Sequence, residues 1–287
     1  MKKWNLIVDV GKCFNCNNCA LAVHDEYHGN EHPGVAAEMP RQGHRWIDVV
    51  QRERGAYPMI DVVAMPVTCN HCDDPPCLKV ARNGAVTKRA DGIVIIDPEK
   101  ARGQRQIVEA CPYGAVWWNE EKDLPQAWPF DAHLLDAGWT KTRASQACPT
   151  EAIRTVRVED DEMRRIAEEE DLEVLRPELG TKPRVYYKNL ALYTKAFIGG
   201  SVTGEIHGVV ECIAGARVSL SQGERRLGET VSDTFGEFKF DGLAEDSGIY
   251  RIDIAAEGFA PGSAECRLGA STYLGTIDLG AARSVAA

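Results

Sequence analysis

Three cysteines within seven residues, Cys13-x-x-Cys16-x-x-Cys19, constrain this chain more than any other feature. A tight loop at that spacing brings three sulfurs onto one concave face, where each can hold one corner of an iron–sulfur cubane. Tetrahedral zinc sites are normally built from two separated pairs and suit the motif poorly. A second run, Cys69-x-x-Cys72-x-x-x-x-Cys77, carries Pro75 and Pro76 in its longer gap. Taken alone, Cys69 and Cys72 also fit half of a zinc ribbon. Each three-thiolate motif lacks a fourth ligand, which in two-cluster ferredoxins is a distant cysteine followed directly by proline. The chain has two such pairs, Cys111-Pro112 and Cys148-Pro149. Eight thiols then make two complete sets, enough for two [4Fe-4S] clusters. The short spacings point to metal rather than disulfides. Cys212 and Cys266 stand apart and read as small buried apolar side chains.

An internal repeat strengthens the count. Setting Asp9 on Asp97 aligns Leu6 to Cys13 with Val94 to Ala101, so Cys13, Cys16 and Cys19 fall on Ala101, Gln104 and Ile107. Four residues further, Val23 falls on Cys111. One copy keeps three ligands and the other only the fourth. The second motif continues to Ala81 in a fourth-ligand position, because Asn83-Gly84-Ala85-Val86 follows it as Tyr113-Gly114-Ala115-Val116 follows Cys111. Whole ligand sets are therefore missing, and no half-set strands a reactive thiolate.

The predicted fold class is α+β, a twin ferredoxin-like cluster-binding domain over residues 1–174 and a small antiparallel β-sandwich over 199–287. Residues 175–198 join them as an extended linker arm punctuated by Pro177, Gly180 and Pro183. Leu6 to Val10 predicts a strand, and Glu159 to Leu172 a solvated amphipathic helix with Met163, Ile166 and Ala167 on its apolar side. Ala216 to Leu220, Glu237 to Phe240 and Tyr250 to Ile254 alternate as strands between Gly and Asp turns. A net charge of −10 argues against nucleic acid and anionic lipid as partners. No apolar run approaches a membrane span, and Asp9 interrupts any signal-peptide core, so a cytoplasmic location is expected.

The chain also resembles a known family along most of its length. The residues that carry the likeness include Arg41-Gln42-Gly43-His44-Arg45-Trp46, Arg52-Glu53-Arg54-Gly55-Ala56-Tyr57-Pro58, Asp91 to Lys100, Cys111-Pro112-Tyr113-Gly114, Ala132-His133-Leu134-Leu135-Asp136 and Pro177 to Leu190. They resemble the iron–sulfur subunits of the dimethyl sulfoxide reductase family of molybdopterin enzymes, of the pyrogallol–phloroglucinol transhydroxylase and resorcinol hydroxylase type. Asp233-Thr234-Phe235-Gly236-Glu237-Phe238 with Gly242-Leu243 resembles a transthyretin-like, carboxypeptidase-regulatory-like sandwich. The resemblance implies that Cys13, Cys16, Cys19 and Cys148 ligate one cluster and Cys69, Cys72, Cys77 and Cys111 the other. Two further family sets would use Val23, Trp128, Asp131 and Ala144, and Ala81, Ala101, Gln104 and Ile107, none of which is a cysteine. These would be the middle cubanes of a row of four, so a continuous electron wire is not expected. Hydroxyl transfer between phenols is redox-neutral overall and tolerates that break better than a reductase would.

No paired carboxylates, nucleophile elbow or phosphate loop stands in a convincing context, so no catalytic residue is assigned. The resemblance places catalysis and the molybdopterin on a large partner subunit, in a heterodimer or a multiple of one, acting on polyphenols by hydroxyl transfer or anaerobic hydroxylation. The alternative is a free-standing ferredoxin-type electron carrier, which needs neither arm nor sandwich. His24, His28 and His32 with Asp25 and Glu26 sketch a metal face that a polar helix end explains equally well. His71, between two cysteines, reads either as a turn residue or as a hydrogen-bond donor to a cluster. Trp117 and Trp118 read as packing residues.

Overall fold

The protein is described from a computed structural model covering residues 1–282. It divides into two compact units, the first made of Met1–Gln51 and Ala64–Leu190, the second of Arg52–Val63 and Ala191–Ala287. Among the described residues no helix is long and apolar enough to cross a membrane.

The first unit is organised around the strand Lys3–Asp9, whose residues Trp4 to Val8 are all buried, as expected of a strand covered on both faces. It is the middle strand of three. Ile153–Val158 pairs with it antiparallel, with Leu6 opposite Thr155, and Val185–Lys188 pairs parallel, with Leu6 opposite Val185. Segment 175–198 therefore holds regular structure, namely a 3-10 turn at Pro177–Leu179, this strand, and a short helix at Ala191–Thr194. Two small hairpins, Val86–Lys88 with Val94–Ile96 and Trp117–Asn119 with Leu124–Gln126, complete the sheet content wholly within this unit.

Helix Asp160–Glu169 opens with Asp160, Asp161 and Glu162, carboxylates suited to the positive end of its dipole, and buries Met163. Asp160 also accepts from Arg184 at 3.0 Å. The buried Arg184 guanidinium forks onto both oxygens of Asp73 at 2.6 Å and reaches Asn5 Oδ1 at 3.1 Å. Four parts of the chain thus meet on one cation, directly beside Cys72.

The second unit is β-rich. Ala196–Ile206 pairs antiparallel with Val209–Cys212 and Glu237–Leu243, and parallel with Thr272–Ala281. The other sheet runs Arg225–Val231, Arg217–Gln222, Gly248–Ala255, Gly262–Leu268, all antiparallel. The expected all-antiparallel pairing is corrected at one place, where two strands far apart in sequence lie side by side in the same direction. Inward residues of both sheets, among them Ile198, Val202, Val218, Leu220, Phe238, Ile252 and Ile254, share one core. Each such side chain contributes about 1.5–3 kcal/mol by leaving water.

Residues 52–63, the distal half of the hairpin Ile47–Ala56 and Met59–Thr68, belong to this second unit. Gly55 has φ +85°, and a Cβ there would lie 2.3 Å from the Met59 carbonyl oxygen and 2.5 Å from the Phe197 ring, so only glycine fits. Beside it the Arg54 side chain is fully enclosed, donating to Asp61 and, through both terminal nitrogens, to Asp241, each at 2.8 Å. Cys212 is exposed and Cys266 half-buried, which corrects the expectation of two buried apolar side chains. In the strand Val209–Cys212 all four residues face solvent, so alternation there carries no inside face.

Candidate metal centre

The 3-10 turn Val10–Lys12 ends the first strand, with Asp9 Oδ1 accepting from Gly11 N at 3.0 Å, and delivers Cys13 to a loop before helix Asn18–Tyr27. Asn15 and Asn17 lie between the cysteines with φ of 63° and 59°, a left-handed backbone that asparagine tolerates better than most residues. These two reversals turn successive sulfurs inward. Cys13, Cys16, Cys19 and Cys148 line one pocket, walled by Phe14, Val49, Pro66, Ala152 and Ile153. Backbone N–H groups of Asn15 and Ala20 reach the Cys13 and Cys19 sulfurs, and Thr150 Oγ1 lies 3.7 Å from Cys148 Sγ. Burial pushes the Cys19 thiol up to about 12, with neighbouring Cys13, Cys148 and Cys16 adding to the rise.

The second group forms the same way. His71, with φ 45°, is the left-handed residue between Cys69 and Cys72, and Pro76 opens the short helix Pro76–Val80 that carries Cys77. Cys111 follows helix Gln106–Glu109. Burial raises the thiols of Cys69, Cys72 and Cys77, the last to about 12, and Cys111 adds charge repulsion at each. Thiols so desolvated and crowded stay ionised only against a strong cation. Both amide atoms of Asn70, and His71 Nε2, are buried without a protein hydrogen-bond partner, directly between or beside these cysteines. Four sulfurs, backbone donors and orphaned side-chain donors are a donor set suited to an iron–sulfur cubane, whose sulfides accept such bonds.

Positive charge lies close by. Lys88 Nζ donates to the His71 carbonyl at 2.8 Å and to the Gly92 carbonyl at 2.6 Å, and pairs with Asp73 at 2.9 Å. His71 is held neutral, its pKa lowered to about 3 by burial and by Lys88. Its Nδ1 accepts from Val94 N at 3.1 Å, which leaves Nε2 as the donor. It is thus both the turn residue and a free donor.

The four positions Val23, Trp128, Asp131 and Ala144 are each 0% exposed, so protein atoms fill that space. Asp131 accepts from Tyr27 Oη and Trp128 Nε1, both at 2.8 Å, and from Arg143 N at 2.7 Å. At the other set, Ala81, Ala101 and Ile107 join an apolar core with Cys77, Val86 and Val116. Gln104 closes the loop there, its Oε1 accepting from Arg82 N at 2.8 Å and its Nε2 donating to the Lys100 carbonyl at 2.7 Å.

The histidine group sketched by the sequence separates. His24 and His28 stack on each other at 5.1 Å and spend ring nitrogens on the carbonyls of Arg41 and Met39. His32 instead stacks on His133, which sequence reasoning did not single out as a ligand. Trp117 and Trp118 are half-buried, and the Arg105 guanidinium lies 4.5 Å over the Trp118 ring.

The family described as 4Fe-4S dicluster domain matches residues 60–158. The chain is 42% identical to the pyrogallol hydroxytransferase small subunit of Pelobacter acidigallici over 261 residues, 90% of this chain and 92% of that one. It is 32% identical to a subunit of the tetrathionate reductase of Salmonella typhimurium over 66% of this chain and 73% of that one. It is also 32% identical to a component of the anaerobic dimethyl sulfoxide reductase of Escherichia coli, over 42% of this chain and 57% of that one.

Proposed function

The chain belongs to the family of iron–sulfur small subunits that includes the pyrogallol hydroxytransferase small subunit, and on that premise we propose that it holds two [4Fe-4S] clusters for a large molybdopterin subunit. Cys13, Cys16, Cys19 and Cys148 hold one cluster, and Cys69, Cys72, Cys77 and Cys111 the other. A cubane supplies one-electron transfer with little change in geometry. The protein's own part is to enclose it, aim backbone N–H groups at sulfur and set the surrounding charge. Catalysis lies on the partner, which acts on a polyphenol by hydroxyl transfer or anaerobic hydroxylation, and the complex is cytoplasmic. The C-terminal unit is a transthyretin-like module for packing or docking rather than chemistry.

The observation that carries this reading is the contrast between thiol groups and filled positions. Eight cysteines gather four and four, while the other two sets are closed by Trp128 and Asp131 in one case and by an apolar core and Gln104 in the other. Metal analysis of the anaerobically purified native complex is expected to give about eight iron for this chain, beyond any iron of the partner, with molybdenum near stoichiometric. About twelve iron on this chain, or zinc in place of iron, would overturn the reading.

Lys88 gives a second test. Its ammonium favours the reduced, more negative state of the nearby cluster. Lys88→Met is expected to lower that cluster's midpoint potential, on the order of tens of millivolts, in an EPR-monitored redox titration. The other cluster's potential should not move.

A further inference from the structure

Glu26, His32 and His133 come from three separate segments, the end of helix Asn18–Tyr27, the loop after it, and helix Ala132–Asp136. One ligand atom from each lies within 4.8 Å of the other two. A tetrahedral ion with bonds of about 2.0–2.2 Å spaces its ligand atoms about 3.4 Å apart, so shifts of about an ångström bring all three into range. His133 Nε2 is already 2.8 Å from Glu26 Oε1, and the two imidazoles stack at 3.7 Å. Side-chain exposures of 17% for His133 and 19% for Glu26 leave an approach for an ion and for water as a fourth ligand.

Two observations say that this corner suits a cation. His133 Nδ1 is buried with no partner. Asp131, fully buried, is hydrogen-bonded only by neutral donors, the Tyr27 hydroxyl, the Trp128 indole and the Arg143 backbone. The neighbouring His133 ring acts on its carboxylate by charge, so a cation held at that ring is favoured. The Arg143 guanidinium opposes an incoming ion, with Nε 3.2 Å from Glu26 Oε2 and a terminal nitrogen 3.6 Å from Asp25. It takes the Glu26 oxygen remote from His133 and leaves Oε1 for the metal. Two histidines and one carboxylate suit borderline transition ions and not calcium or magnesium.

We propose that Glu26, His32 and His133 bind one divalent transition ion, zinc or ferrous iron, at a site separate from the eight cysteines. The ion joins the end of the first helix, the loop after it and the later helix, next to the cluster position closed by Trp128 and Asp131. Arg143 holds Glu26, and the Tyr27 ring packs edge-on against both imidazoles.

The native complex is tested first. One zinc per chain by elemental analysis, or one high-spin ferrous Mössbauer doublet outside the cubane signals, is the expected result, and the two readouts separate the two metals. The complex is next stripped with a chelator, and zinc is titrated back against a chromophoric competitor. Glu26→Gln, which keeps the hydrogen bonding and drops the charge, is expected to weaken zinc about tenfold or more. His32→Ala with His133→Ala is expected to abolish uptake, with cluster absorbance unchanged. A wild-type complex that neither carries such an ion nor takes up zinc overturns the proposal, as does Glu26→Gln binding zinc like wild type. If the double variant loses its clusters, the Glu26→Gln titration alone decides, because that residue is no cluster ligand.

Discussion

Cys77→Ala is expected to lower the iron of this chain from about eight to about four and to remove one of two cubane signals from its EPR spectrum. Cys77 is 9% exposed and packs with Ala85, Val86, Ile107 and Val116. Burial, then the charges of Cys111 and Cys72, push its thiol up to about 12. In that environment a thiolate persists only as a metal ligand, and alanine leaves three sulfurs where a cubane needs four. Cys111→Ser should produce the same deficit, because Cys111 is the shared neighbour of Cys69, Cys72 and Cys77. The half-buried Cys266 is the control, and Cys266→Ala should leave iron unchanged. Iron undiminished in Cys77→Ala would refute the pairing.

Arg54→Met is expected to destabilise the second unit by about 3 kcal/mol, the low end for breaking a buried ion pair because Asp61 and Asp241 keep some contact with water. Their side chains are 33% and 27% exposed, whereas that of Arg54 is not exposed at all. Removing the guanidinium leaves two carboxylates facing each other, with Lys239 as the remaining cation, 3.5 Å from Asp241. Burial alone would raise the Asp241 carboxyl, but the hydrogen bonds from Arg54 and Gly242 and the Arg54 charge more than reverse this and hold it below its ordinary value. A depressed carboxyl contributes stability above its unfolded pKa, about 4, and loses it as pH falls through the lower folded value. The gap between wild type and variant in urea melts should therefore be widest near neutrality and shrink in acid. A gap independent of pH would point to packing rather than charge.

Arg54 also shows what the sequence hides. Nothing local in Arg52-Glu53-Arg54 announces that Arg54 is enclosed, because its burial depends on Asp61 and also on Asp241, which is distant in sequence. His133 is hidden for the same reason, since nothing in Ala132-His133-Leu134 announces Glu26 and His32 as neighbours. By contrast, the strand read at Leu6 to Val10 and found at Lys3–Asp9, the helix beginning at Asp160 and the alternation of Tyr250, Ile252 and Ile254 depend on local periodicity and are legible. The cysteine loops lie between these cases. Spacing announces that Cys13, Cys16 and Cys19 share a loop, while the nearness of Cys148 depends on strand Ile153–Val158 returning to the first strand. Strand Val185–Lys188 is not legible, because Pro177, Gly180 and Pro183 mask the regular pairing just beyond them.

The second unit is built from two stretches of chain, residues 52–63 and those from 191 onward. No single cut can therefore release it whole, and a fragment starting at residue 191 would lack Arg54, Gly55 and Met59, leaving Asp241 and the Phe197 ring uncovered. On the ribosome the same discontinuity sets an order. The hairpin emerges after Cys13, Cys16 and Cys19 and waits through the synthesis of Cys69 to Cys148 before the sheets that complete its unit exist, so chain order gives the thiol loops the first opportunity to fold.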